Sequence, residues 1–221
     1  MINITNLSQK NNGHILLDNI NLTVPSKTVF GIFCQAKAER SALMEALSGA
    51  SAITDGEISI CGHNITSERL NAQSLIGYMP EGMSFYKNMT VVEFLSFITD
   101  AKGLDFEQAQ TNIKNALTAT GLLAVKDAII SKLRPAGKAR LGIAQAIVSD
   151  PSVLLFNNPT RDLNKNEVQE IFKLINTLSR SKSAIITSDD PQMFSFCDSV
   201  AVITDGKLDT DIKDFLGKGA K

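Results

Sequence analysis

Apolar residues fall into two rhythms along this chain. Short β-branched runs alternate with stretches in which apolar residues recur every three or four positions. Ile15–Val24 alternates in part and predicts a strand, Pro25-Ser26-Lys27 a turn, and Thr28–Phe33 a buried strand. A short helix over Ser41–Ser48 carries Leu43, Met44 and Leu47, and Gly49 closes it where left-handed backbone is needed. Glu57–Cys61 reads as a strand, Gly62-His63-Asn64 as a surface turn, and Ile76–Met79 as a strand stopped by Pro80. The pattern then turns helical. Thr90-Val91-Val92-Glu93 is a capping box opening a helix to about Lys102. Asp105 caps a helix over Phe106–Thr120 that Gly121 ends, and Lys138–Ser149 places Leu141, Ala144, Ile147 and Val148 on one face. Strand Val153–Phe156, helix Lys165–Arg180, and strands Ala184–Thr187 and Val200–Ile203 follow, the last running into an Asp205-Gly206 turn. The stripe Val168, Ile171, Phe172, Ile175 and Leu178 makes the Lys165 helix amphipathic. The Lys-rich end, Lys213–Lys221, reads as a frayed terminus.

Strands alternating with helices imply an α/β protein built on a parallel sheet. The helical stretch 84–150 interrupts that alternation and reads as a helical subdomain inserted in the α/β core. With 221 residues the chain can bury a full core without staples. Its 22 basic and 23 acidic side chains leave a net charge of −1, which gives no global attraction to nucleic acid or anionic membrane. The only two histidines, His14 and His63, cannot build a multi-His metal centre. Cys34, Cys61 and Cys197 fit no zinc or disulfide spacing and read as reduced thiols of a cytosolic protein. No apolar run reaches the ~18 residues of a membrane span. The N-terminus lacks the basic-then-apolar order of a signal peptide, so work at a membrane requires a partner.

Strand Thr28–Phe33 followed by a helix at Ser41 is the setting of a phosphate loop, G-x-x-x-x-G-K-[ST]. Its glycines let backbone N–H groups wrap phosphates, and its lysine reaches the β and γ phosphates. Here Cys34 and Glu39 stand at the glycine positions, Arg40 at the lysine, and only Ser41 is retained, followed by Ala42. Other segments extend the comparison over nearly the whole chain. They are Gly31–Gly49, Gly56–His63, Ile76–Glu81, Tyr86–Phe94, Leu133–Ala146, Asp150–Thr160, Cys197–Ile203 and Asp205–Lys207. In this order they resemble the ATP-binding subunit of ABC transporters. The resemblance implies one domain over 1–221 with an ABC-type P-loop ATPase core, a mainly parallel sheet, an N-terminal antiparallel β part and the inserted helical subdomain.

The same alignment removes the family's chemistry motif by motif. Cys34, Lys37 and Glu39 put β-carbons where the loop needs close backbone approach. A Glu39 carboxylate beside phosphate costs about 4 kcal/mol per like-charge pair at ~4 Å and an effective dielectric of ~20. The resemblance assigns Walker B to Asn157 and Asn158, amides where an Asp would help hold magnesium and a Glu would polarise water. It assigns the signature L-S-G-G to Leu133-Arg134-Pro135-Ala136, the Q-loop to Glu81, the switch histidine to Asp189, and the D-loop to Leu163-Asn164. The adenine-stacking aromatic falls at Asn11 or Asn12. Ser41 is the one residual candidate for a metal ligand.

Ordinary packing accounts for other features. Phe94 and Phe97 read as core, and Phe85–Tyr86 as an exposed pair facing a membrane subunit, as this region does in the family. Lys37, Arg40, Lys138 and Arg140 read as solvated helix-end charges, and Asp189-Asp190 as a turn or helix cap. The resulting expectation is a pseudo-ATPase homologue of ABC ATP-binding subunits, cytoplasmic and peripheral at the inner face of the cell membrane. It would act as structural or regulatory partner of a permease transmembrane subunit, as a homodimer or a heterodimer with another ATPase-like subunit, and without nucleic acid. ATP and magnesium, implied by the family, are expected to bind weakly or not at all. Two rivals stand beside it: a weak or partner-complemented ATPase energising export, and a soluble interaction module without a transporter.

Overall fold

The alternating apolar runs become the strands of two sheets in the computed structural model, which describes residues 1–210. The smaller sheet is antiparallel, in the order β2-β1-β4-β5, with β1 (Ile2–Asn11), β2 (His14–Val24), β4 (Asp55–Ile60) and β5 (His63–Asn64). The larger sheet has the order β10-β9-β3-β8-β7-β6. Its members are β3 (Val29–Cys34), β6 (Ile76–Met79), β7 (Val153–Asn157), β8 (Ser183–Ser188), β9 (Ser199–Thr204) and β10 (Lys207–Asp209), parallel except for the β10–β9 pair. Each residue of β7 and β8 is buried, as continuous apolar runs in a covered parallel sheet require.

Helix α1 (Lys37–Ser48) lies between the two sheets. Its Leu43, Met44, Ala46 and Leu47 are fully buried in a cluster shared with both. Gly49 ends it at φ 67°, a left-handed cap that lets its amide bond back to the last turn. A short α2 (Arg69–Ser74) follows. On the other face of the large sheet, α5 (Pro135–Ile147) and α6 (Lys165–Ser179) bury Ala139, Ile143, Ile171, Phe172 and Ile175. Gly77 allows α5 to lie tight on β6, because an added β-carbon would strike the Ala146 carbonyl. Helices α3 (Val91–Ala101) and α4 (Phe106–Thr120), with part of α5, form a third apolar cluster around Phe94, Leu95, Leu117 and Leu141. The Thr90–Glu93 capping box is present, and a second one, Asn164 with Glu167, opens α6.

Four sequence expectations change. Helix α1 starts at Lys37, four residues before Ser41, so only Gln35 and Ala36 separate it from β3. Lys37-Ala38-Glu39-Arg40-Ser41-Ala42 holds no glycine or proline and strong helix formers, so the helix propagates backward. Helix α5 starts at Pro135 instead of Lys138, since a proline at the first helical position is pre-set for the turn. The Gly62-His63-Asn64 turn is shorter than read: His63 and Asn64 pair with β4 as β5, and His63 Nδ1 sits 3.0 Å from Glu68 Oε1. Phe94 is buried, but Phe97 is 42% exposed. The Lys213–Lys221 terminus lies outside the described residues.

Candidate functional site: a cleft closed by its own ion cluster

Because β3, β8, β7 and β6 are parallel neighbours, their carboxyl ends share one edge of the sheet, where α/β folds place their ligands. Four sequence-assigned segments meet there: Cys34–Ser41 after β3, Glu81 after β6, Asn157-Asn158 at the end of β7, and Asp189 after β8. Of these, Gln35, Lys37, Arg40, Glu81, Asn158 and Asp189 line a cleft of about 420 Å³, with Arg161 on a further wall.

Arg40 occupies the centre. Its side chain is 2% exposed, so the reading of a solvated helix-end charge is wrong for this residue. Nη1 donates to the carbonyls of Cys34 (2.6 Å) and Gln35 (2.9 Å). Nη2 reaches Glu81 Oε2 and Asp189 Oδ2, each at 3.1 Å. Glu81, 3% exposed, accepts on its other oxygen from Arg161 Nη1 at 3.1 Å. Asn158 Nδ2 lies 3.5 Å from Glu81 Oε1 and 3.4 Å from both Asp189 oxygens. Two guanidinium groups and two carboxylates thus neutralise one another, and the planar fork of Arg40 supplies the geometry for several acceptors. Arg40 Nε has no partner among the described residues.

Several neighbouring positions are engaged in the fold. The Arg40 amide bonds the Ala36 carbonyl at 3.1 Å, so it belongs to the helical ladder. Asn157 accepts from Thr187 Oγ1 at 2.8 Å and bonds the Tyr78 side chain. Asn158 holds φ 49°, and its amide donates to the Thr187 carbonyl at 2.8 Å. Cys34 Sγ lies 3.4 Å from Glu39 Oε2, which draws the Glu39 carboxylate back toward the thiol. Lys37 is exposed, Ser41 half-buried and Ala42 buried. Asp190 does cap the short turn after it, accepting from the Gln192 amide, whereas Asp189 serves the cluster.

The signature segment stays outside the cleft. Arg134 is the N-cap of α5 without a side-chain bond, Pro135 is its first residue and Ala136 its second. Asn164 caps α6. Asn11 ends β1 and Asn12 turns at φ 48°, both exposed. Phe85 is half-buried and packs edge-on against Phe94 at 5.5 Å, so it belongs to the helical cluster instead of an exposed pair. Tyr86 is 56% exposed and stacks edge-on with Phe97 at 5.4 Å, which makes Tyr86 and Phe97 the surface pair. Sequence reasoning passes over Arg161; its one signal is a basic residue directly after the Asn-Asn-Pro-Thr segment.

The three thiols are unequal. Burial, then the bond to Glu39, pushes Cys34 up to about 12, and burial with the nearby Asp198 charge pushes Cys197 up to about 12. Cys61 is exposed. Since the thiolate is the reactive form, native protein at pH 8 is expected to titrate one thiol rapidly with a chromogenic disulfide and three after unfolding. Two or more fast native thiols would contradict this.

A large sheet parallel except for one edge pair, an antiparallel β part and a β3–α1 junction at the carboxyl edge give a P-loop ATPase-type cassette. Residues 17–161 match the family model described as ABC transporter. The methionine import ATP-binding protein MetN of Carboxydothermus hydrogenoformans is 29% identical over 199 residues, 87% of this chain and 59% of MetN. The Bacillus subtilis ABC transporter ATP-binding protein YybJ, described as uncharacterized, is 28% identical over 96% of this chain and 97% of its own length. The chain spans about three fifths of the length of the MetN relatives it matches. In fold, cbiO1 of Clostridium perfringens, part of the ABC transporter complex cbiONQ, superposes with a TM-score of 0.84 at 24% identity, covering 98% of this chain and 91% of cbiO1. The ATP-binding cassette MJ0796, a dimer bound to ADP and Pi, gives 0.83 at 17% identity, over 95% of this chain and 98% of its own. This chain belongs to the ABC transporter family, as a homologue of its ATP-binding subunits.

Proposed function

We propose that this chain is a pseudo-ATPase of the ABC family, a structural or regulatory subunit that works with a membrane permease without hydrolysing ATP. The observation that carries the reading is Arg40. Its guanidinium is buried among the carbonyls of Cys34 and Gln35 and the carboxylates of Glu81 and Asp189, in the segment that would otherwise cradle phosphate. Helix α1 supports the same reading, because its start at Lys37 leaves two residues of loop and no glycine for a backbone nest. Magnesium and ATP, implied by the family, do not fit these residues: Asn157 and Asn158 bring no charge to a cation, and neither amide can accept a proton from water.

The membrane role rests on kinship with MetN and on the exposed Tyr86–Phe97 pair. Among the described residues no helix is long and apolar enough to cross a membrane, so the membrane would be reached through the permease, from the cytoplasmic side. The inserted helical subdomain over 84–150 would present that pair. Dimerisation, with a second copy or another ATPase-like subunit, is part of the same proposal.

Calorimetry with Mg-ATP is expected to give no binding up to about 1 mM, and phosphate release no turnover above background. Turnover abolished by Ser41→Ala or Asn157→Ala would overturn the pseudo-ATPase reading. A chain that stays in the supernatant when co-expressed with candidate permeases would overturn the membrane role.

A further inference from the structure

Glu81 has a second relation to the fold besides lining the cleft. It stands two residues after β6, at the head of the segment that runs through Gly82 (φ 65°) into the α3–α4 unit. Met83, Phe85 and Met89 of that segment pack into the helical cluster, and the amides of Val91 and Val92 bond the carbonyls of Ala128 and Lys126. Residues 83–92 therefore belong with the helices, whereas Glu81 is bonded to the core. Its carboxylate is nearly inaccessible, and its ionic partners are Arg40 on α1 and Arg161 after β7. Arg40 also holds Asp189 after β8. One buried cation thus ties the ends of β3 and β8 to Glu81 at the base of the helical unit.

We infer that the Arg40-centred ion cluster is a built-in latch that sets the helical unit against the α/β core without any ligand. This rests on the reading of Arg40 as a permanent occupant of the cleft. Other ties across the boundary act elsewhere: α5 packs into both the sheet-facing and the helical clusters, Arg140 bonds the Thr120 carbonyl at 3.0 Å and Glu170 at 2.8 Å, Gln145 Nε2 reaches the Tyr78 carbonyl at 2.6 Å, and Lys102 Nζ the Ile76 carbonyl at 3.4 Å. None of these holds the segment directly after β6. Loss of the latch should therefore loosen the segment 80–82 and let the α3–α4 unit shift about α5, which stays packed in both clusters. Functionally, the surface that carries Tyr86 and Phe97 would be held in one pose at all times.

The native thiols supply the measurement. Cys61 lies at the β4–β5 turn of the small sheet and is exposed, and Leu123, beside α4 in the helical unit, is 43% exposed. Spin labels on Cys61 and on Leu123→Cys, in the full chain without nucleotide, should give one narrow distance distribution by double electron–electron resonance. Arg40→Met is expected to widen it at least twofold or shift its mean. Arg40→Met/Glu81→Gln relieves the stranded carboxylate, and it should keep the widened distribution while regaining thermal stability. That second variant keeps the test decisive if the first folds poorly. An unchanged distribution in the folded double variant would overturn the latch. Binding of Mg-ATP by the wild-type chain would instead overturn the reading of Arg40 as a permanent occupant of the cleft, and it is read by calorimetry independently of the distance.

Discussion

Arg40→Met is expected to destabilise the protein by about 3–5 kcal/mol, read as a lowered urea midpoint at unchanged slope, because breaking a buried ion pair from one side strands the partner. Glu81, its side chain 3% exposed, would keep Arg161 as ionic partner, itself 44% exposed and correspondingly screened, and the Asn158 amide at 3.5 Å. The Cys34 and Gln35 carbonyls would also lose their shared donor. The origin of the loss can be separated. If the loss came from methionine packing badly, adding Glu81→Gln would make it worse. If it came from an uncompensated carboxylate, Glu81→Gln should return half or more of it, since removing both charges is far milder than removing one. Arg40→Lys should fall between, because one ammonium cannot match a planar fork serving two carbonyls and two carboxylates. A midpoint for Arg40→Met within about 1 kcal/mol of wild type would show that the cluster contributes little, despite its burial.

Much of the fold is legible in local sequence, and the reasons are specific. Helix α4 runs over Phe106–Thr120 with Asp105 and Gly121 as its caps, because both stop signals sit directly beside the periodic stretch. Strand β6 runs over Ile76–Met79 for the same reason, with Pro80 unable to continue it. Strand β1 is harder to read because register shifts between Ile4 and Lys10, and Asn6 at φ 51°, break the period of two. The start of α1 is hidden from motif matching, because the family places a loop where these residues favour helix and here local propensity decides. The ion cluster was the least legible part. Arg40, Glu81, Asn158 and Asp189 are visible as departures from motifs, yet a lone arginine at a helix start looks solvated. Its partner Glu81 is 41 positions away in sequence and reaches it through the parallel order of β3, β8, β7 and β6. Arg161 enters by the same route, which explains why motif reading passes over it.

A graft of the missing loop should recover nucleotide binding in part. The variant Cys34→Gly, Lys37→Gly, Glu39→Gly and Arg40→Lys removes the plug, the carboxylate beside it and the β-carbons on the loop path. Two of its glycines fall inside α1, each disfavoring helix by about 1 kcal/mol, so the first turn should melt toward the loop that phosphate needs. Calorimetry is expected to show Mg-ATP binding at least tenfold tighter than wild type, or about 1.4 kcal/mol. The protein should be less stable without nucleotide and partly rescued by it, since a ligand that binds only the folded state stabilises it by mass action. Turnover should still be absent, because Asn158 cannot take the proton from water. Adding Asn157→Asp and Asn158→Glu should bring the first measurable hydrolysis. If the folded four-site variant binds no better than wild type, Arg40 and its neighbours are not what closes the cleft. The closure would then lie in the pairing of Glu81 with Arg161 and Asn158, which the graft leaves in place.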